Sequence, residues 1–153
     1  MTSPESPVPD AQPGDAAAKP AVSVSRVQDA KLREELARSS ARAEAERAQV
    51  LIDEFIWQAT TRGIAPVPLR ATTMSGHDVK TDKQGWYIRK NRSIAVGTDG
   101  SYYVLTVPGG LLDRLRGVAL KPTQPSLQVG RGGRDGETGD LKDFLARALD
   151  PDF

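Results

Sequence analysis

Apolar positions along the chain fall into three regimes. Between Ser25 and Arg62 they recur as Ala41, Ala45, Ala48, Ile52, Phe55 and Ala59, in alternating steps of four and three, which is the period of one helical face. The intervening residues are strong helix formers, chiefly Ala, Glu, Arg, Leu and Gln. Ser25 can cap the start, and Gly63 can end the helix as its first non-helical residue. Asp29 with Arg33, and Glu34 with Arg38, are i,i+4 pairs in the favourable order. Leu51 and Ile56 widen the seam only in its last third. The pattern therefore predicts a helix over 25–62 in which residues 48–60 pack on the protein's own core and residues 25–47 lie in solvent. A coiled-coil dimer is the sharper alternative, although alanine at most seam positions is unlike a usual zipper.

After Gly63 the period shortens. Pro66 and Pro68 confine residues 64–70 to an edge strand or an extended lead-in, and residues 71–85 read as polar and turn-rich. In WYIRKNRSIAVGTDGSYYVLTV (86–107) the Asp99-Gly100 pair fits a two-residue hairpin turn. That turn pairs Thr98 with Ser101, Val96 with Tyr103 and Ile94 with Leu105. An odd-length turn around Lys90–Arg92 pairs Ile88 with Ile94 and Trp86 with Val96. The two turns together place Trp86, Ile88, Ile94, Val96, Tyr103, Leu105 and Val107 on one face. Tyr87, Arg89, Ser93, Ala95, Tyr102, Val104 and Thr106 fall on the other.

The third regime is helical again. PGGLLDRLRG (108–117) predicts a short helix from Leu111 to Arg116 closed by Gly117, and VALKP and SLQVG supply one or two short strands. A final helix is predicted over about 140–149, with Leu141, Phe144, Leu145 and Ala148 on one stripe. The expected fold is α+β: a long N-terminal helix, a small antiparallel β-meander over about 85–107 with short flanking strands, and a short C-terminal helix. The corresponding segments are 1–24, 25–62, 63–129, 130–139 and 140–149. The first, rich in Pro, Ala and Ser, is too poor in large apolar side chains to offset its ordering entropy and is expected to be disordered. The fourth is a glycine-rich loop expected to act as a flexible tether.

Composition mainly excludes. The chain has 153 residues, no cysteine and one histidine, His77, so thiol chemistry, cysteine-ligated metals and multi-histidine sites are ruled out. No apolar run is long enough to span a bilayer. The N-terminus lacks the basic start and apolar stretch of a secretory signal, so a cytoplasmic protein with no membrane partner is the expectation. The Ala/Arg/Gly-rich texture resembles that of a GC-rich bacterial genome. Net charge is +1 overall, yet residues 63–123 carry nine Lys/Arg against four Asp. An anionic partner would therefore bind there most readily.

Candidate chemistry is sparse. Residues 130–139 hold five glycines ahead of a helix but match no phosphate-binding loop, and Glu137, Asp140 and Asp143 crowd the place a phosphate would occupy. Ser75, His77 and Asp78 share one loop, whereas triad residues normally converge from separate elements. No catalytic, metal or cofactor-binding residue is predicted. Lys83, Tyr87, Arg89, Lys90, Arg92 and Tyr102 form a basic, aromatic set suited to single-stranded nucleic acid if one sheet face presents them. Leu141, Phe144, Leu145 and Ala148 could dock into a partner's groove, or onto this protein's own sheet. The function expected from these features is a non-enzymatic protein–protein interaction or adaptor module, meeting another protein or a second copy of itself. Nucleic-acid binding is the first alternative, and an enzyme acting on a small molecule the second.

Overall fold

The computed structural model describes residues 18–130 and 137–153. The first 17 positions of the expected tail, and residues 131–136 of the glycine loop, lie outside the described residues. The chain forms two units, residues 1–39 and 40–153.

Every described residue of the first unit is helical, within α1 (Ala18–Thr61). The helix starts seven residues before Ser25, so residues 18–24 correct the expected extent of the disordered tail. Pro20 is tolerated because it sits in the first turn, where an amide N–H would lack an intrahelical partner anyway.

In the second unit α1 stops where the sequence indicates. The Gly63 N–H donates to Thr60 O (3.1 Å) and the Ile64 N–H to Ala59 O (2.9 Å). With Gly63 at φ +73, this is the paired arrangement that closes helices on a left-handed glycine. The seam residues Ala48, Ile52, Phe55 and Ala59 are buried, and Ile64 packs beside them.

The strands are β1 (Val67–Thr73), β2 (Asp78–Tyr87), β3 (Ile94–Gly97), β4 (Tyr102–Val104) and β5 (Thr106–Val107), in the order β4-β3-β2-β1-β5. Neighbours pair antiparallel except β1 with β5, which are parallel. The two outermost strands are successive pieces of one extended run, 102–107. At its middle the Leu105 N–H donates to Ser93 O (2.8 Å), while Leu105 O accepts from the Thr72 N–H (2.7 Å). The sheet therefore curls until its edges meet at Leu105, which leaves little unpaired edge.

Curling gives the sheet two buried faces. The inner one holds Leu69, Ala71, Val79, Ala95, Tyr103, Leu105 and Leu120. The outer one, with Trp86, Ile88, Ile94, Val96 and Tyr102, is covered by α1 residues 48–59 and by α3 (Leu141–Ala148). α2 (Leu111–Arg116), β6 (Gln128–Val129) and β7 (Gly139–Asp140) complete the unit.

Two readings of the sheet are corrected. Residues 71–85 are strands rather than a polar turn region, since β1 and β2 form the longest pairing around a turn at 74–77. Their alternation is hidden because Thr73, Thr81 and Lys83 take inward positions among polar neighbours. On the other side, Trp86 pairs with Val96 as predicted, but β4 is displaced by one residue: Val96 faces Tyr102, and Ala95 faces Tyr103. The turn has three residues, not two. The Gly97 N–H donates to Ser101 O (2.9 Å), Gly100 takes φ +83, and Asp99 Oδ1 accepts the Ser101 N–H (3.0 Å).

Candidate functional site

The slip in β4 separates the residues expected to bind nucleic acid. Tyr102 lies with Trp86 and Ile94 on the helix-covered face, whereas Tyr87 packs against the inner cluster. Arg89 is buried as well, at 6% exposure. Its Nη2 donates to Glu137 O (2.8 Å) and its Nη1 to Ser93 Oγ (3.2 Å), while its guanidinium lies 6.0 Å from the centre of the Phe144 ring. Its Nε is buried with no hydrogen-bond partner among the described residues. Arg89 thus ties the end of the glycine loop to α3, and its burial keeps it from presenting a cationic surface.

The remaining members are dispersed. Tyr87 is half-buried, its hydroxyl accepts the Arg70 N–H (3.0 Å), and Arg92 stacks 5.4 Å from its ring centre. Lys83 lies 3.6 Å from Asp82. Of the six, only Lys90 and Arg92 are exposed, at the turn between β2 and β3. The structure brings no single basic aromatic surface together from the six.

Leu141, Phe144, Leu145 and Ala148 are buried in the same cluster as Ile52 and Phe55. They correct the alternative of a helix free to dock elsewhere, because releasing them would expose the core they fill. Residues 131–136 of the expected tether lie outside the described residues, and only its flanks are placed. Both ends of the glycine loop are paired, with Val129 opposite Gly139 and Gln128 opposite Asp140. The Asp140 carboxylate accepts from Gln128 Nε2 (2.6 Å) instead of capping α3.

Around His77, the Ser75 hydroxyl and Nδ1 lie 3.0 Å apart, but Asp78 approaches Thr72 Oγ1 (3.4 Å) and is no partner of the imidazole. Thr73 Oγ1 also accepts the His77 N–H (3.0 Å), so these contacts hold the exposed β1–β2 turn. Among the described residues no cluster of three metal-ligating side chains forms, and no helix is long and apolar enough to cross a membrane. No protein-family model, curated protein or solved structure matches this chain.

Ionisation follows the packing. Burial pushes the Tyr102 hydroxyl up to about 12, with Arg89 opposing. Burial also raises Tyr103, helped by its 2.7 Å hydrogen bond to Asp99 Oδ2. Asp82 is held low, chiefly by the Leu120 N–H (2.9 Å). A phenol whose folded-state value exceeds its unfolded one contributes stability that is complete below the unfolded value. That contribution is lost as pH rises through the folded one. Thermal stability is therefore expected to fall between about pH 10 and about pH 12, and Tyr102→Phe should flatten that decline without abolishing it, since Tyr103 remains. Melting curves across that range decide it: an unchanged slope in Tyr102→Phe would mean that Tyr102 ionises as freely folded as unfolded.

The surfaces left open are apolar and were not anticipated from sequence. Leu111, Leu112 and Leu115 of α2 are exposed, as are Val50 and Trp57 of α1. The seven-residue step from Val50 to Trp57, on the side of the helix away from the Ala48–Ala59 seam, was the available signal.

Proposed function

We propose that this chain is a non-enzymatic protein–protein interaction module whose helical unit, residues 22–39, is the element that meets a partner protein or a second copy. One observation carries this reading: every side chain from Val22 to Ser39 is exposed, including Val22, Val24, Val27, Leu32 and Leu36. Helices gain most of their stability from packing a face, and the exposed stretch 22–39 has none packed among the described residues. A second helix laid along it would supply that packing, in a coiled coil or a groove. The proposal includes a cytoplasmic location, as the composition suggests.

Crosslinking, light scattering and hydrogen exchange on the full chain test it, with Leu32→Glu/Leu36→Glu as the control variant. The expected result is an assembly, with itself or with a recovered partner, in which amides of 22–39 are protected, a protection lost in the variant. A monomer that recovers no partner, or 22–39 amides whose exchange is indifferent to Leu32 and Leu36, would overturn it.

A further inference from the structure

We infer that residues 40–153 carry two complementary docking patches, and that α2 of one copy seats on the outer face of α1 in a second copy. This uses other residues than the 22–39 proposal and stands without it.

The first patch is α2. Leu111, Leu112 and Leu115 share one side of this short helix, and Leu115 is 86% exposed. At about 100° per residue, Arg114 and Arg116 fall on either flank of the leucines, and Asp113 falls behind them. The Asp113 carboxylate is already engaged, accepting the Gly110 N–H (2.8 Å). The surface offered is apolar with a cationic rim.

The second patch is its counterpart. Val50 and Trp57 are seven residues apart on the face of α1 opposite Ala48, Ile52, Phe55 and Ala59, and Trp57 is 68% exposed. Asp53 and Glu54 lie between them. Among the described residues their carboxylates accept only from neutral amides, Gln49 Nε2 (2.9 Å) and Gln58 Nε2 (3.2 Å). Among the described residues neither acid makes an ion pair, and neither does Arg114 or Arg116.

Opposite charge around two apolar centres selects the occupant. A Leu-rich helix rimmed by arginines meets an apolar strip rimmed by carboxylates, with a tryptophan of the kind that anchors interfaces. A neutral groove or a basic surface would leave the arginines unpaired or repelled. Because the patches differ, two copies either exchange them reciprocally about a twofold axis or continue head to tail.

Sedimentation equilibrium of the full chain at low and high salt reads the association, with circular dichroism confirming that each variant is folded. Trp57→Ala and Leu112→Glu should each weaken self-association by about tenfold or more. Arg114→Glu/Arg116→Glu should weaken it, as should Asp53→Arg/Glu54→Arg. Mixing these two charge-reversed proteins should restore a complex between them. Leu32→Glu/Leu36→Glu should leave this contact intact, which separates it from the 22–39 proposal. A monomer at every concentration would overturn the inference, and so would charge-reversed proteins that fail to rescue each other. Leucine-dependent binding of the monomer to phosphatidylserine vesicles would overturn it in favour of a lipid surface.

Discussion

Replacing Phe144 with alanine is expected to destabilise the 40–153 unit by about 3–5 kcal/mol, the range for removing a large aromatic from a close-packed core. Phe144 is 2% exposed and shares its cluster with Ile52, Phe55 and Trp86. Its ring also supports two cations, with Arg147 at 4.5 Å and Arg89 at 6.0 Å from its centre. Truncation would leave a cavity and strip the buried Arg89 guanidinium of its ring. Domains of this size have about 5–15 kcal/mol of stability in total, so the loss is a large share of it. Urea unfolding followed by circular dichroism measures the change, and Lys142→Ala, exposed on the same helix, should stay within about 0.5 kcal/mol of the parent. A Phe144→Ala effect as small as that of Lys142→Ala would mean that α3 does not fill this core.

The second large effect is expected at Gly85, where β2 crosses β3 opposite Gly97. A Cβ there would run into the Val96 carbonyl oxygen and come within 2.8 Å of the Gly97 Cα. Both obstacles are backbone, so no rotamer change relieves the clash, and the pairing itself has to open. Gly85→Ala is therefore expected at or above the upper end of the about 1–3 kcal/mol typical of overpacking. The β2–β3 amides should lose hydrogen-exchange protection first. Gly85→Ala at parental stability, with those amides still protected, would show that the strands do not approach as closely as described.

Legibility differed from element to element, for physical reasons. The end of α1, the bounds of α2 and the stripe on α3 could be read because each depends on local signals: a glycine free to take positive φ, and apolar residues at helical spacing. The Trp86–Val96 register could be read because the turn at 89–93 and the alternation agree. The β3–β4 register could not. Asp99-Gly100 suits a two-residue turn and a three-residue one equally, and Tyr102-Tyr103-Val104-Leu105 has apolar character on both sides. Alternation settles a register only where one face meets water, and here Tyr102 and Tyr103, on opposite faces, are both buried. The binding set was lost with it, since Tyr87 and Tyr102 share a face only in the unslipped pairing.

The sequence alone determined the α+β class, the long helix with its stopping point, the excluded thiol and multi-histidine chemistry, and the apolar face of the last helix. Those properties reside in composition and in spacings of a few residues. Only the tertiary structure decided that the sheet curls to close at Leu105, that α3 spends its stripe on its own core, and that Arg89 is sealed inside while Trp57 and three leucines stay outside. Each depends on which surfaces compete for the same apolar partner across tens of residues, and that competition is resolved only when the elements pack.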